Sequence, residues 1–326
     1  MTEKKKKKEL NKKLEERKEK QAKYKDVAKD LESSGEEQIS LTDLDSRSVI
    51  LLRNIVNVGY NIQAASDAKH KLLVEYDTGS VNESHALAPV ALQTKKMLQA
   101  EHLSVLADKG YHTGEQLSQC QENDITTYVS PKAPATKNTG LCPTADFTYD
   151  PHQDMYICPQ GHQMHTNGKW HDHNDGKRKG KSPYRFRRYT TAACKSCKYR
   201  HLCTKSKNGR YIDRSEYADM IEANAERINA NPDYYRQRQQ ITEHPFGTLK
   251  RQRGFTHTNV RGKDNVLGEV GIQFIGYNLT RCVSIFGVKE FIKALKVCCL
   301  YLFSVIKRPI LSPYNNFLFS GLKTAA

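Results

Sequence analysis

HLSVLADKGYHTGEQLSQCQENDITTYV, running from His102 to Val129, is the stretch that decides the fold. His102 to Ala107 is a short apolar run, which predicts a strand that ends directly in Asp108. Thr113, followed by Gly114 and Glu115, has the form of a helix start, and the helix extends to about Gln121. Ile125 to Val129 is a second strand. A carboxylate at the carboxyl end of a buried strand, beside a glycine and a helix start, sits where open α/β sheets expose catalytic groups and metal ligands. A plain strand-end turn is the other reading of Asp108.

Upstream, Gly59 to Ser66 (GYNIQAAS) alternates, with Tyr60, Ile62 and Ala64 on one side. Leu72 to Tyr76 (LLVEY) follows beyond the polar tetrapeptide Asp67 to His70, and the pair predicts an antiparallel hairpin. A helix from after Ser80 to about Ala100 is carried by Leu87, Val90, Ala91 and Leu98 at three- and four-residue steps. The succession β-β-α-β-α-β therefore suggests an α/β fold, a mixed sheet with flanking helices. Residues 1–38 are almost entirely charged and polar, with leucines only at Leu10, Leu14 and Leu31, and predict a solvated helix or disordered arm. Downstream, periodicity is lost over residues 131–213. Helical patterning returns near Arg214, from Asp233 through Arg253, and from Asn265 to about Val297. The expected organisation is an arm at 1–38, the first part of a core at 39–130, an insertion at 131–213, a helical second part at 214–296 and an apolar tail at 297–326.

The 326 residues carry 52 Lys+Arg against 36 Asp+Glu, a net charge of +16. No apolar run reaches the roughly 20 residues needed to cross a bilayer. The reading is a soluble, basic, intracellular protein with a polyanion partner, nucleic acid being the commonest. Between Cys158 and Arg214 there are 15 Lys+Arg and 3 Asp, so +12 of the charge lies in the insertion. Arg185, Arg187 and Arg188 are the expected DNA contacts.

The insertion also holds Cys158-x35-Cys194-x2-Cys197-x5-Cys203. Closely spaced thiols set in turns suit a structural Zn2+, with His162, His165 and His201 as nearby substitutes. Such a polar segment is not expected to bury a core, so the metal would supply its stability. Free thiols are the other reading. Cys120, Cys142, Cys282, Cys298 and Cys299 are expected to be packing residues. Glu243 and Lys250 lie seven residues apart, about two helical turns with a 20° offset, and share a face if the helix survives Pro245 or restarts near Thr242. An ordinary surface pair has the same spacing.

Taken together, TDLDSR (Thr42 to Arg47), VGYNIQAASDAKHKLLV (Val58 to Val74), LADKGYHTGEQL (Leu106 to Leu117), YICPQGHQM with CKSCKYRHLC, YRQRQQITEHPFGTLKRQRGF and GYNLTR resemble the DDE transposases of bacterial insertion sequences, in the branch with a cysteine-rich insertion. The resemblance spans roughly residues 39–285. It implies an RNase H-like core, interrupted by a zinc-ribbon-like insertion, in which three carboxylates hold two divalent ions for phosphodiester cleavage and strand transfer. Asp108 matches the second Asp and Glu243 the third carboxylate; Lys250 matches the lysine expected on DNA phosphate. Mg2+ or Mn2+ would be the catalytic metal, the partners transposon ends and target DNA, the active form a homodimer, and the location the bacterial cytoplasm at the nucleoid.

The departures are equally specific. The family's first Asp lies in an Asp-Gly-Thr-like opening strand, and no Asp-Gly-Thr occurs in this chain. Asp67 falls in a hairpin turn expected to lie away from Asp108, and Asp43 and Asp45 substitute no better. The absent strand belongs at the centre of the sheet, so two strand edges should be left open. The expectation is an amino-terminally truncated transposase, with a non-catalytic DNA-binding remnant or a functionless one as the alternatives.

Overall fold

The computed structural model describes residues 3–34, 39–50, 56–78, 83–132, 141–173 and 184–306. The charged start forms one helix, α1 (Glu3–Ser34), exposed along almost all its described length. Two hairpins follow. β1 (Arg47–Ile50) pairs antiparallel with β2 (Val56–Gly59), and β3 (Gln63–Ser66) with β4 (Leu73–Asp77). The second is the expected hairpin with a shorter first strand, because Gly59 ends β2 paired with Arg47, and Tyr60 to Ile62 connect β2 to β3 outside any strand. Its turn is closed by Lys71 N donating to Asp67 O at 2.9 Å, with Asp67 Oδ2 accepting from His70 N at 2.5 Å.

Helix α2 (Leu87–Met97) leads to β5 (Leu103–Ala107), α3 (Gly114–Glu122) and β6 (Ile125–Val129). β5 and β6 are parallel, so the connection between them must cross over, and α3 provides it. Leu87, Ala88, Ala91, Ala107, Leu117, Cys120, Ile125 and Val129 form the core of this unit. Thr113 does not cap α3 with its side chain: its hydroxyl donates instead to Ser84 O at 2.9 Å. The start of α2 is served from outside, where buried Gln116 on α3 accepts the Ala88 N–H at 2.9 Å.

The expectation of one mixed sheet is corrected here. β3–β4 and β5–β6 are separate two-stranded sheets. A cavity of about 520 Å3 is lined by every residue from Asn61 to Ala68 and every residue from Leu103 to Asp108. Successive side chains on a strand point to opposite sides. Contributions from both parities therefore mean that the cavity runs along the strands' edges.

The insertion is not structureless either. β7 (Thr148–Asp150), β8 (Met155–Ile157), β9 (Gln163–His173), β10 (Tyr184–Thr190) and β11 (Tyr211–Ser215) form a five-stranded antiparallel sheet in the order β11-β10-β9-β8-β7. Phe147, Tyr156, Met164, Tyr189 and Ile212 make its own buried core, against which Cys142, Tyr149, Cys158 and Cys203 pack. Aromatic rings supply the apolar area that aliphatic periodicity does not show. A bulge in β9 falls between the Arg187–Trp170 and Tyr189–Thr166 pairs, and Gly168 takes up the left-handed conformation there, φ +74°. A single turn, α4 (Arg200–Cys203), precedes β11.

The chain returns through α5 (Ala218–Ala230) and α6 (Pro232–Gly247), then a π-helical turn, Thr248–Gln252. Helix α7 (Lys263–Phe286) and α8 (Val288–Ile306) are divided at Gly287, φ +77°, where one helix to Val297 had been expected. Two compact units divide the chain at Gln273/Phe274. The apolar VCCLYLFSVI stretch lies on α8, the rest of the tail (307–326) is outside the described residues, and no described helix is long and apolar enough to cross a membrane.

Candidate active site and basic lobe

Asp108 follows β5 directly, and its Oδ1 accepts from the next backbone N–H, Lys109 N, at 2.7 Å. Half of its side chain is exposed, and Arg238 on α6 approaches Oδ2 to 3.8 Å. Tyr235, one turn earlier, donates its hydroxyl to Ala107 O at 3.1 Å, which pins α6 across the strand end. Glu83 lies beside it. A Cβ built on Gly110 would come within 1.6 Å of Glu83 Oε2, so only glycine allows this approach. Burial, and then the charge of Asp108, raises the pKa of Glu83 above the ordinary carboxylate range. Tyr111 donates to Gln63 Oε1 in the same corner, and its phenol is held well above its usual pKa by burial and by these two carboxylates.

Asp67, Glu83, Asp108, Arg238 and Lys250 all line the cavity between the strand edges, so Asp67 shares Asp108's cavity although it had been expected away from it. Glu243 is not among the lining residues. The next residue back, Thr242, lines the cavity, and one residue on a helix turns about 100°, which carries Glu243 onto the exposed side, where Gln239 donates to its Oε1 at 3.0 Å. The helix survives Pro245. The carbonyl that proline leaves without its helical donor, Ile241 O, accepts from Ser66 Oγ at 3.4 Å. The π turn that follows alters the two-turn facing between residues 243 and 250, so Lys250 reaches the cavity and Glu243 does not. Glu83, Arg238 and Tyr235 had not been singled out as site residues. Glu83 sits in a 3-10 turn with no periodic signal.

Asp43 and Asp45 serve the first turn of α7. Gly262 N donates to Asp43 Oδ2 at 3.3 Å, Lys263 N to Asp45 Oδ2 at 2.9 Å, and Tyr60 donates its hydroxyl to both Asp43 oxygens. Carboxylates at a helix amino terminus are stabilised there.

Cys142, Cys158, Cys194, Cys197 and Cys203 line one cavity of about 160 Å3, together with His162; His165 and His201 do not line it. Cys142, expected to be a packing residue, thus joins the cluster, its thiol donating to Asp146 Oδ2 at 3.2 Å. Burial raises the Cys203 pKa, and the neighbouring thiols Cys194, Cys158 and Cys197 add to it. The donor set is soft enough for zinc. Among the described residues, however, no three His, Cys, Asp or Glu side chains are placed to hold a metal ion.

The three sheet arginines are each engaged with a carboxylate: Arg185 with Glu216 at 2.9 Å, Arg187 with Asp154 at 2.9 Å and Arg188 with Asp213 at 2.7 Å. A cavity of about 1080 Å3 lies between the start of α3 and β10–β11. It holds His112 and His173, whose Nε2 and Nδ1 are buried with no hydrogen-bond partner among the described residues.

Residues 157–283 match the family described as the transposase DDE domain, which supports a DDE transposase and DNA as its partner. The matched segment contains four of the five clustered cysteines (Cys158, Cys194, Cys197 and Cys203), Glu243 and Lys250, and begins after Asp108. No curated protein and no solved structure matches the chain.

Proposed function

We propose that the protein acts on DNA as a DDE-type transposase, cleaving and joining strands of an insertion sequence by phosphodiester transfer, as a homodimer when active. The observation that carries this is Asp108 at the carboxyl end of β5, with Glu83 beside it and Arg238 and Lys250 in the same cavity, together with the family match. Mg2+ or Mn2+ would activate the attacking oxygen and stabilise the leaving one. Asp108 and Glu83 are oxygen donors suited to such hard ions. They do not complete a ligand set, because no third described donor converges on them. Arg238 holds Asp108 in place, and Lys250 offers its ammonium to a phosphate entering the cavity.

The cavity lined by β3 and β5 supports the reading that a further strand would complete the site. A strand seated between them would pair with both and carry a carboxylate to the level of Asp108. The chain as given should therefore not nick supercoiled plasmid with Mg2+ or Mn2+. Fusing an Asp-Gly-Thr-bearing strand to its amino end should produce metal-dependent nicking, and Asp108→Ala should abolish it. Robust nicking by the unextended chain that Asp108→Ala removes would show that the site is already complete. DNA binding with no nicking in either form would favour a non-catalytic DNA-binding role. A structural Zn2+ held by Cys158, Cys194, Cys197 and Cys203 belongs to the same reading, supported by their shared cavity.

A further inference from the structure

We propose that the cysteine lobe, Cys194 to Arg210, is the surface that grips the phosphate backbone of duplex DNA, in place of the arginines of the adjoining sheet. The inference rests on the transposase reading for the identity of the polyanion and on the structure for its location. Over these 17 residues there are six cations (Lys195, Lys198, Arg200, Lys205, Lys207 and Arg210) and no Asp or Glu.

The two arginines are turned inward and build the lobe. Arg200 Nη2 donates to Ser206 O at 2.9 Å and to Lys207 O at 2.5 Å. Arg210 donates to Thr144 Oγ1 at 3.0 Å and lies 5.5 Å from the Phe147 ring centre. Gly209, φ +89°, lets the backbone close onto Cys194, where a Cβ would meet the cysteine's own Cβ at 2.7 Å. What remains outside is Lys195, Lys198, Lys205 and Lys207, all exposed. None of the four ammonium groups makes an ion pair or hydrogen bond with a described residue. Tyr199, 52% exposed, stands among them as a flat surface between two cations.

The sheet is the opposite case. Arg185, Arg187, Arg188 and Arg214 each hold a carboxylate, Arg214 bridging Asp219 and Glu222 at 2.5 Å. A paired arginine must surrender its carboxylate before it takes a phosphate, so it adds little net attraction. An unpaired lysine displaces condensed counterions directly. Among the described residues, the arginines of the sheet are thus compensated and the lysines of the lobe are not.

The test is anisotropy of the full chain with a fluorescein-labelled mixed-sequence duplex, titrated at several salt concentrations. Replacing Lys195, Lys198, Lys205 and Lys207 together by Gln should weaken binding at least about tenfold and make the slope of log K against log salt shallower by about 3 to 4, roughly 0.9 for each of four phosphate contacts. Replacing the same four by Arg should keep both affinity and slope. The pair Arg185→Gln and Arg188→Gln should leave the slope nearly unchanged. A wild-type slope in the four-Gln variant, or a larger loss from the arginine pair, overturns the assignment while leaving DNA binding intact. A wild-type chain that ignores duplex DNA at low salt, or that prefers polyglutamate to it, sinks the transposase reading as well.

Discussion

Asn224 is completely buried and clamps the end of β6, its Oδ1 accepting from Val129 N at 3.0 Å and its Nδ2 donating to Val129 O at 2.7 Å. Both backbone groups lie on the outer edge of a two-stranded sheet and have no strand to pair with. Asn224→Ala leaves a buried donor and acceptor unmet, which should cost about 2 to 4 kcal/mol in denaturant unfolding. Asn224→Asp should recover only part, since it cannot donate to the carbonyl. Asp154 has a comparable role in the insertion, at a left-handed position, φ +47°, in the β7–β8 turn. It accepts from Tyr149 at 2.8 Å and Tyr189 at 2.5 Å, and pairs with Arg187. The Tyr189 hydrogen bond is the largest cause holding its carboxyl below the ordinary range. A carboxylate whose folded pKa is depressed stabilises the fold above its unfolded pKa and loses that contribution as pH falls through the folded value. Asp154→Asn should therefore destabilise the insertion by about 1 to 3 kcal/mol at neutral pH. The deficit should shrink below about pH 4, measured by urea unfolding across pH. A deficit constant down to pH 2 would mean that the charge is not what matters. Neither residue carries a periodic or motif signal, because its role lies in partners 95 and up to 35 residues away.

At the scale of elements, α5 shields β6. Arg227 Nε donates to Thr127 O at 3.1 Å, so Asn224 and Arg227, three residues apart on one helical face, cover the strand edge that would otherwise be open. β3 and β5 meet α6 instead, Ser66 Oγ donating to Ile241 O and the Tyr235 hydroxyl to Ala107 O, and the cavity between them is where the proposed strand would seat. The insertion shows a further contrast. Phe147, Tyr156, Met164, Tyr189 and Ile212 form a core of their own, apolar packing that the insertion's polar composition did not suggest. If the thiols hold zinc, the purified chain should carry about one ion. A chelator should then loosen the lobe around Cys194 and Cys203 while the sheet keeps its near-ultraviolet signal from Trp170, which is packed against Arg185 and Arg187. Absence of zinc on elemental analysis would leave five thiols as the wall of an apolar pocket. The sheet is hard to read along the chain because its strands alternate aromatic with charged rather than aliphatic with polar residues, as Tyr184 to Tyr189 (YRFRRY) do.

For the molecule as a whole, the strand that ends in Asp108, the helix after it, the hairpin turning at Asp67 and the clustering of the cysteines could be read along the chain, because each depends on neighbours within one element or one turn. The transposase resemblance was legible for the same reason: its motifs are local. Which carboxylates and cations stand together was not. Glu83 reaches Asp108 through a close approach at Gly110; Glu243 is carried off the cavity wall by its position on α6; Asp43 and Asp45 are claimed by the start of α7; and the sheet arginines are neutralised by carboxylates from β11, from the β7–β8 turn and from the stretch leading into α5. A charge count is indifferent to pairing, whereas the field at a surface depends on which charges the fold leaves uncompensated. Sequence by itself thus determined the local elements before the insertion, the family resemblance and the total charge. The tertiary structure decided which groups share a site and where the free charge lies, since these follow from contacts between residues distant in the chain, which local pattern does not encode.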